Sequence, residues 1–139
     1  MRSTYRVLGW ALILGFAITG RANGQQPKPP VKPPAMTAKV SVTVDVPAYQ
    51  GPCPARLVFT GTITLPGVPT KQPLTYQWVR ADRTRGPKRT VTMTGTTVTV
   101  TDKMQVGIAG QMIRVGEQLE VLAPATGKSA QVLSAVLCH

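Results

Sequence analysis

The amino-acid sequence predicts an all-β fold, a two-sheet antiparallel sandwich, in a protein exported from the cytoplasm. Three observations carry that prediction. Beyond residue 38 the apolar residues recur at every second position in short runs, the period of a strand with one buried face, and no window shows a convincing helical period. Gly- and Pro-containing turns separate about seven such runs, the pattern of a sandwich. The chain also opens with Arg2 and Arg6, the apolar stretch "VLGWALILGFAI" (Val7 to Ile18) and the small-residue sequence Ala22-Asn23-Gly24, the three parts of a cleavable secretory signal.

Residues 1–24 are therefore expected to be a signal peptide. Its twelve-residue apolar run falls short of the ~20 residues needed to span a bilayer, and no later segment is long and apolar enough to do so. The absence of a cysteine at the cleavage point argues against a lipid anchor. Residues 25–37 follow as a linker, in which "QQPKPPVKPPA" (Gln25 to Ala35) has five prolines, two lysines and nothing to bury. It is expected to form an extended polyproline II spacer of roughly 30 Å. The folded domain is expected over 38–139.

Within that domain, "KVSVTVDV" places Val40, Val42, Val44 and Val46 on one face and Ser41, Thr43 and Asp45 on the other. In "ARLVFTGTITL" the inward set is Leu57, Phe59, Gly61, Ile63 and Leu65, and the turn "PGVPTKQP" ends the run. "LTYQWVR" aligns Leu74, Tyr76 and Trp78, so Phe59, Tyr76 and Trp78 are the expected aromatic core, centred on Trp78. After the polar loop come "RTVTMT", "TTVTVT", "KMQVGI", "EQLEVLA" and, past a short turn, "SAQVLSAVLC". The last of these is apolar on both faces, because Leu133 and Leu137 oppose Val132 and Val136. Such a strand is either central and covered or leaves a small patch for a partner.

Cys53 and Cys138 are the only cysteines, and export makes a disulfide the expected state of the pair. Cys53 shares odd parity with Leu57 and Phe59, and Cys138 shares even parity with Val132 and Val136, so both thiols can face the core. A bridge between them would pin the last strand and, closing a loop of this length, contribute about 4 kcal/mol. Pro52 and Pro54 flank Cys53, fixing its approach and withholding backbone donors.

Taken together, "YQGPCPARLVFTGTIT", "YQWVRAD", "EQLEVLAP" and a strand closing on a cysteine resemble the immunoglobulin-like domains of secreted and surface bacterial proteins, over roughly Val40 to Cys138. The resemblance implies an immunoglobulin-like sandwich and carries no catalytic signature. The sequence departs from it at "RADRTRGPKR" (Arg80 to Arg89), which is longer and more basic than the short turn such domains often have there.

Function is less legible. The whole chain carries a formal charge of +11; without Arg2, Arg6 and Arg21 of the leader, 13 basic residues face 5 acidic ones, leaving +8. That surplus favours anionic partners. Arg80, Arg83, Arg85, Lys88 and Arg89 form the densest basic cluster, a possible anion-binding loop set against the alternative of a merely solvated one. No aromatic residue interleaves with them, which argues against nucleic acid. Three TxTxT rows, at Thr60 to Thr64, Thr90 to Thr94 and Thr97 to Thr101, offer hydroxyl arrays, although threonine is also an ordinary residue for the outer face of a sheet.

The only histidine is His139, and Asp45, Asp82, Asp102, Glu117 and Glu120 are scattered along the chain, so no catalytic set and no metal site is assigned. The expectation is a non-enzymatic binding or structural module of the cell envelope or extracellular space, monomeric and without a cofactor. Its partner would be a protein or an envelope polymer. The alternatives are an electrostatic binder of anionic polymers through 80–89, or a small secreted inhibitor of another protein.

Overall fold

The computed structural model describes residues 36–68 and 70–139; the expected signal peptide and nearly all of the linker lie outside them. Nine strands follow in chain order: β1 (Lys39–Val44), β2 (Ala48–Gly51), β3 (Ala55–Thr64), β4 (Gln72–Arg80), β5 (Arg89–Met93), β6 (Thr97–Val106), β7 (Met112–Ala123), β8 (Gly127–Lys128) and β9 (Val132–Cys138). No helix occurs among the described residues. The strands form two sheets, one ordered β1-β3-β6 and the other β2-β9-β7-β4-β5, with β8 paired to β7. The all-β sandwich is thus as the alternation predicts.

The differences have local causes. β2 and β8 are only four and two residues long, too short to display a period. "TTVTVT" and "KMQVGI", expected as two strands, run on as β6, because Asp102 and Lys103 continue the pairing with Phe59 and Val58 of β3. The sheets are also not wholly antiparallel: β2 lies parallel to β9, with Tyr49 opposite Val136 and Gly51 opposite Cys138. Backbone pairing already begins at the end of the expected linker, where the Thr126 N–H donates to the Met36 carbonyl at 3.0 Å and the Ala38 N–H to the Thr126 carbonyl at 2.9 Å.

The core fills the space between the sheets. Leu57, Phe59, Ile63 and Leu65 from the β3 run meet Leu74, Tyr76 and Trp78 of β4, Met93 of β5, Leu119 and Val121 of β7 and Val136 of β9, all buried. Val40, Val42, Val44 and Val46 are half-buried against them, on the face the alternation assigns. Gly61 belongs to the inward row for a steric reason. A Cβ there would lie 3.1 Å from Cη2 of Trp78 and run into a methyl of Leu119, so the missing side chain is the space that the indole occupies.

Three strands face six. β1 packs over β7 and β9, which leaves β6 over the β4–β5 edge. There the interior is closed by charge rather than by apolar side chains: Nη2 of Arg89, at the start of β5, is 3.1 Å from Oδ1 of Asp102 on β6.

Candidate functional site

The two cysteines are joined as a Cys53–Cys138 disulfide, 85 residues apart in sequence with their Cα atoms 5.4 Å apart. Cys138 is buried, and Gly107 packs against the bridge: with φ at +87° and a Cβ that would lie 2.9 Å from the Cys53 sulfur, no other residue fits there without strain. The bridge, the β2–β9 pairing and a hydrogen bond from the Cys138 N–H to the Gln111 carbonyl together hold the last strand.

The basic segment is not a free loop. It folds back on the end of β4: the Arg80 N–H donates to Thr84, the Gly86 N–H to Trp78 and the Arg83 N–H to Arg80, and Arg85 bridges Val79. Asp82 organises the turn by accepting from the Thr84 N–H at 2.8 Å and from the Thr84 hydroxyl, and these bonds hold its carboxyl below the ordinary value. Arg83 adopts a positive φ of 69°. The five cations consequently diverge. Arg85 leans over the outer face of the larger sheet toward Glu120 at 3.7 Å, where Glu120 also accepts from the buried Gln77 at 2.6 Å. Arg89 turns inward to Asp102. Arg80, Arg83 and Lys88 are exposed and make no ion pair among the described residues.

Beneath this fold-back, Trp78, Arg80, Gly86, Pro87, Arg89, Asp102, Lys103 and Glu117 line a cleft of about 190 Å³. Its interior holds the largest electrostatic anomaly of the described residues. Glu117 is only 1% exposed and no donor faces its carboxyl oxygens, so the carboxyl is paired only when it carries a proton and donates it to Asp102; the indole N–H of Trp78 is buried and unpartnered among the described residues. Burial, reinforced by the charge of the Asp102 carboxylate on the other sheet and by a hydrogen bond to it, pushes the Glu117 carboxyl up to about 8, and Arg80 and Arg89 pull only weakly the other way. At neutral pH this side chain is largely protonated, a neutral group able to donate and to accept.

Asp102 and Glu117 belong to different strands in different sheets, so no spacing along the sequence pairs them. The available signal was parity. Asp102 stands at an inward position of the row Val98, Val100, Met104 and Val106, and Glu117 at one of the row Ile113, Val115, Leu119 and Val121. An acid in an apolar row marks either a functional position or a buried pair.

Two of the three threonine rows meet. On the outer face of the smaller sheet, Thr60, Thr62 and Thr64 stand opposite Thr101, Thr99 and Thr97, with Thr43 and Ser41 completing two of the cross-rows. The Thr64 and Thr97 hydroxyls are 3.3 Å apart. The third row begins on β5 in the other sheet, where Thr90 faces Thr75. Leu133, Leu137 and Met112 are exposed on the outer face of β9 and β7, so the doubly apolar last strand leaves a patch although it lies between two strands.

Among the described residues no three His, Cys, Asp or Glu side chains come together as a metal site, and no helix is long and apolar enough to cross a membrane. No protein-family model matches the chain, and no curated protein matches it.

Proposed function

We propose that the chain is an exported, non-enzymatic binding module of the cell envelope or extracellular space, immunoglobulin-like in fold, that engages anionic polymers through one end of its sandwich. The observation that carries this reading is the fold-back of 81–88, which leaves Arg80, Arg83 and Lys88 outward and unpaired. Arg80 borders both the cleft that Lys103 also lines and a second cleft of about 260 Å³ that reaches Arg114. These five cations, Arg80, Arg83, Lys88, Lys103 and Arg114, form a patch whose attraction is long-ranged and salt-sensitive. Arg85 and Arg89 serve the fold instead, through Glu120 and Asp102.

The strand order supports the immunoglobulin-like part of the reading: the first, third and sixth strands make one sheet, and the connections β2–β3, β3–β4, β5–β6 and β6–β7 cross between the sheets, as in Greek-key domains. The disulfide supports export. The test is elution from a sulfated-polysaccharide matrix by a salt gradient, comparing wild type with Arg80→Gln/Arg83→Gln/Lys88→Gln. Elution of the triple variant at clearly lower salt, with an unchanged melting curve, is expected. Equal elution would remove the basic end from the function.

A further inference from the structure

The end of the domain beside the disulfide carries the two most exposed large apolar side chains among the described residues. Ile108, in the turn between β6 and β7, is 65% exposed, and Met112, at the start of β7, is 71% exposed. The turn that presents them is firmly held. The Gly110 N–H donates to the Cys138 carbonyl at 3.1 Å, the Cys138 N–H to the Gln111 carbonyl at 2.8 Å and the Gln111 N–H to the Ile108 carbonyl at 3.2 Å. Gly107, packed on the bridge, and Gly110 supply the positive φ angles that the turn requires. Ile108 is thus held out into solvent by hydrogen bonds beside a covalent bond, and a contact made there has little chain entropy left to lose.

The apolar surface continues from this tip along the outer face of the larger sheet. Met112 stands opposite Leu137, Arg114 opposite Ala135 and Gly116 opposite Leu133, with Ala48 and Gln50 of β2 alongside Ala135 and Leu137. The charged side chains next to the tip are cationic. Arg114 follows Met112 by two residues on the same face, and Arg56, opposite Gln105, is exposed where β6 leads into the turn. The acids are engaged in the fold. Asp45 accepts from the Val58 N–H, Asp102 pairs with Arg89, Glu117 is buried and Glu120 accepts from Gln77. Asp82, which lines the same cleft as Arg114, is held by Thr84.

This pairing of a rigid apolar tip with flanking arginines narrows the partner. A polar polymer has nothing in which to bury Ile108 and Met112. A second copy of the chain would set the same patch against itself, and with it Arg56 and Arg114 against their own like charges. A bilayer with anionic headgroups meets both features, because its interface takes up apolar side chains while its surface charge attracts the arginines beside them. We infer that the turn 107–112 is a membrane-docking tip: Ile108 and Met112 enter the headgroup region of an anionic bilayer, Leu137 lies at its border, and Arg56 and Arg114 meet lipid phosphates. Two apolar side chains and two arginines give reversible attachment rather than insertion. The inference goes beyond the engagement of anionic polymers, in which the apolar tip has no part.

The experiment is cosedimentation of the disulfide-bonded chain with vesicles of phosphatidylcholine alone and of phosphatidylcholine and phosphatidylglycerol in equal parts. Wild type is expected to bind the mixed vesicles about tenfold or more tightly than the neutral ones. Ile108→Ser/Met112→Ser, which changes no charge, should lose about tenfold or more on the mixed vesicles, melt as wild type does and elute from the sulfated-polysaccharide matrix at the wild-type salt. Arg56→Gln/Arg114→Gln should weaken binding to the mixed vesicles and leave binding to the neutral ones almost unchanged. Residues 1–35 are common to every variant, so the differences report the tip. The emission of Ile108→Trp, taken as its difference from wild type, should move to shorter wavelength on the mixed vesicles. Unchanged vesicle binding in Ile108→Ser/Met112→Ser, or an unshifted Ile108→Trp, would overturn the docking tip, as would a wild-type dimer that Ile108→Ser/Met112→Ser separates. Vesicle binding that depends on Ile108 and Met112, with no retention on the sulfated matrix, would uphold the tip and refute the anionic-polymer reading alone.

Discussion

Replacing Glu117 by glutamine should change how the stability of the domain depends on pH, because the folded protein keeps a proton on this side chain that the unfolded chain gives up. The carboxyl is raised from an ordinary 4.5 to about 8 by burial and by the facing Asp102 carboxylate. Between those pH values the folded state binds one proton more than the unfolded state, so stability falls as pH rises. The contribution of the protonated group is complete below about pH 4.5, declines through neutrality and is lost above about pH 8. At about 1.4 kcal/mol per tenfold change in proton affinity, the full difference reaches about 5 kcal/mol, a large share of a small domain's stability. Glutamine has nearly the same shape and does not titrate. Denaturant midpoints measured from pH 5 to pH 9 should therefore be similar for the two proteins at pH 5 and diverge above it, with Glu117→Gln the more stable by several kcal/mol at pH 9. The groups away from Asp102 titrate alike in both proteins, so the difference between the curves isolates the Glu117–Asp102 pair. Parallel curves would refute the assignment of a buried, protonated carboxyl.

Other outcomes follow from the packing. Trp78→Ala should cost about 3 to 5 kcal/mol by denaturant melting, since the indole is 3% exposed between the sheets. Gly61→Ala should destabilise by about 1 to 3 kcal/mol, because the added methyl meets Trp78 and Leu119; a neutral result would mean that the two side chains have room to move. Intact mass of the non-reduced protein should be two hydrogens below the reduced value, and Cys53→Ser/Cys138→Ser should lose about 4 kcal/mol in chemical denaturation. Arg89→Gln should lower the melting temperature where Lys88→Gln does not, because only Arg89 neutralises Asp102 at the edge of the interior.

The sheets were legible because their signal is local. Alternation in "ARLVFTGTITL" and "LTYQWVR" requires nothing beyond neighbouring residues, and it placed Leu57, Phe59, Ile63, Tyr76 and Trp78 in the core where they are found. The disulfide was legible for the same reason, since two parities and a count of two leave one pairing. β2 was not, because four residues carry no period and its parallel partner lies more than eighty residues away. The cleft was hidden more deeply. Asp102 and Glu117 gain their meaning from facing each other across two sheets, and the sequence records only that each interrupts an apolar row. The basic segment was visible as charge, but its division into Arg85 and Arg89, which pair with Glu120 and Asp102, and Arg80, Arg83 and Lys88, which are left outward, depends on the fold-back that Asp82 and Thr84 build.

The Cys53–Cys138 bridge also determines how the domain answers a mechanical load. Tension applied between Met36 and His139 would run along β1 and β2 to Cys53 and then cross the covalent bond to Cys138, beside which β9 lies in parallel with β2. Only the segment before Cys53 could be drawn out, about 60 Å at ~3.5 Å per residue. The 85-residue span inside the bridge, worth about 300 Å if it unravelled, would carry none of the force. β3 to β7, which hold the cleft and the basic end, would keep their shape while the strands leading into them gave way.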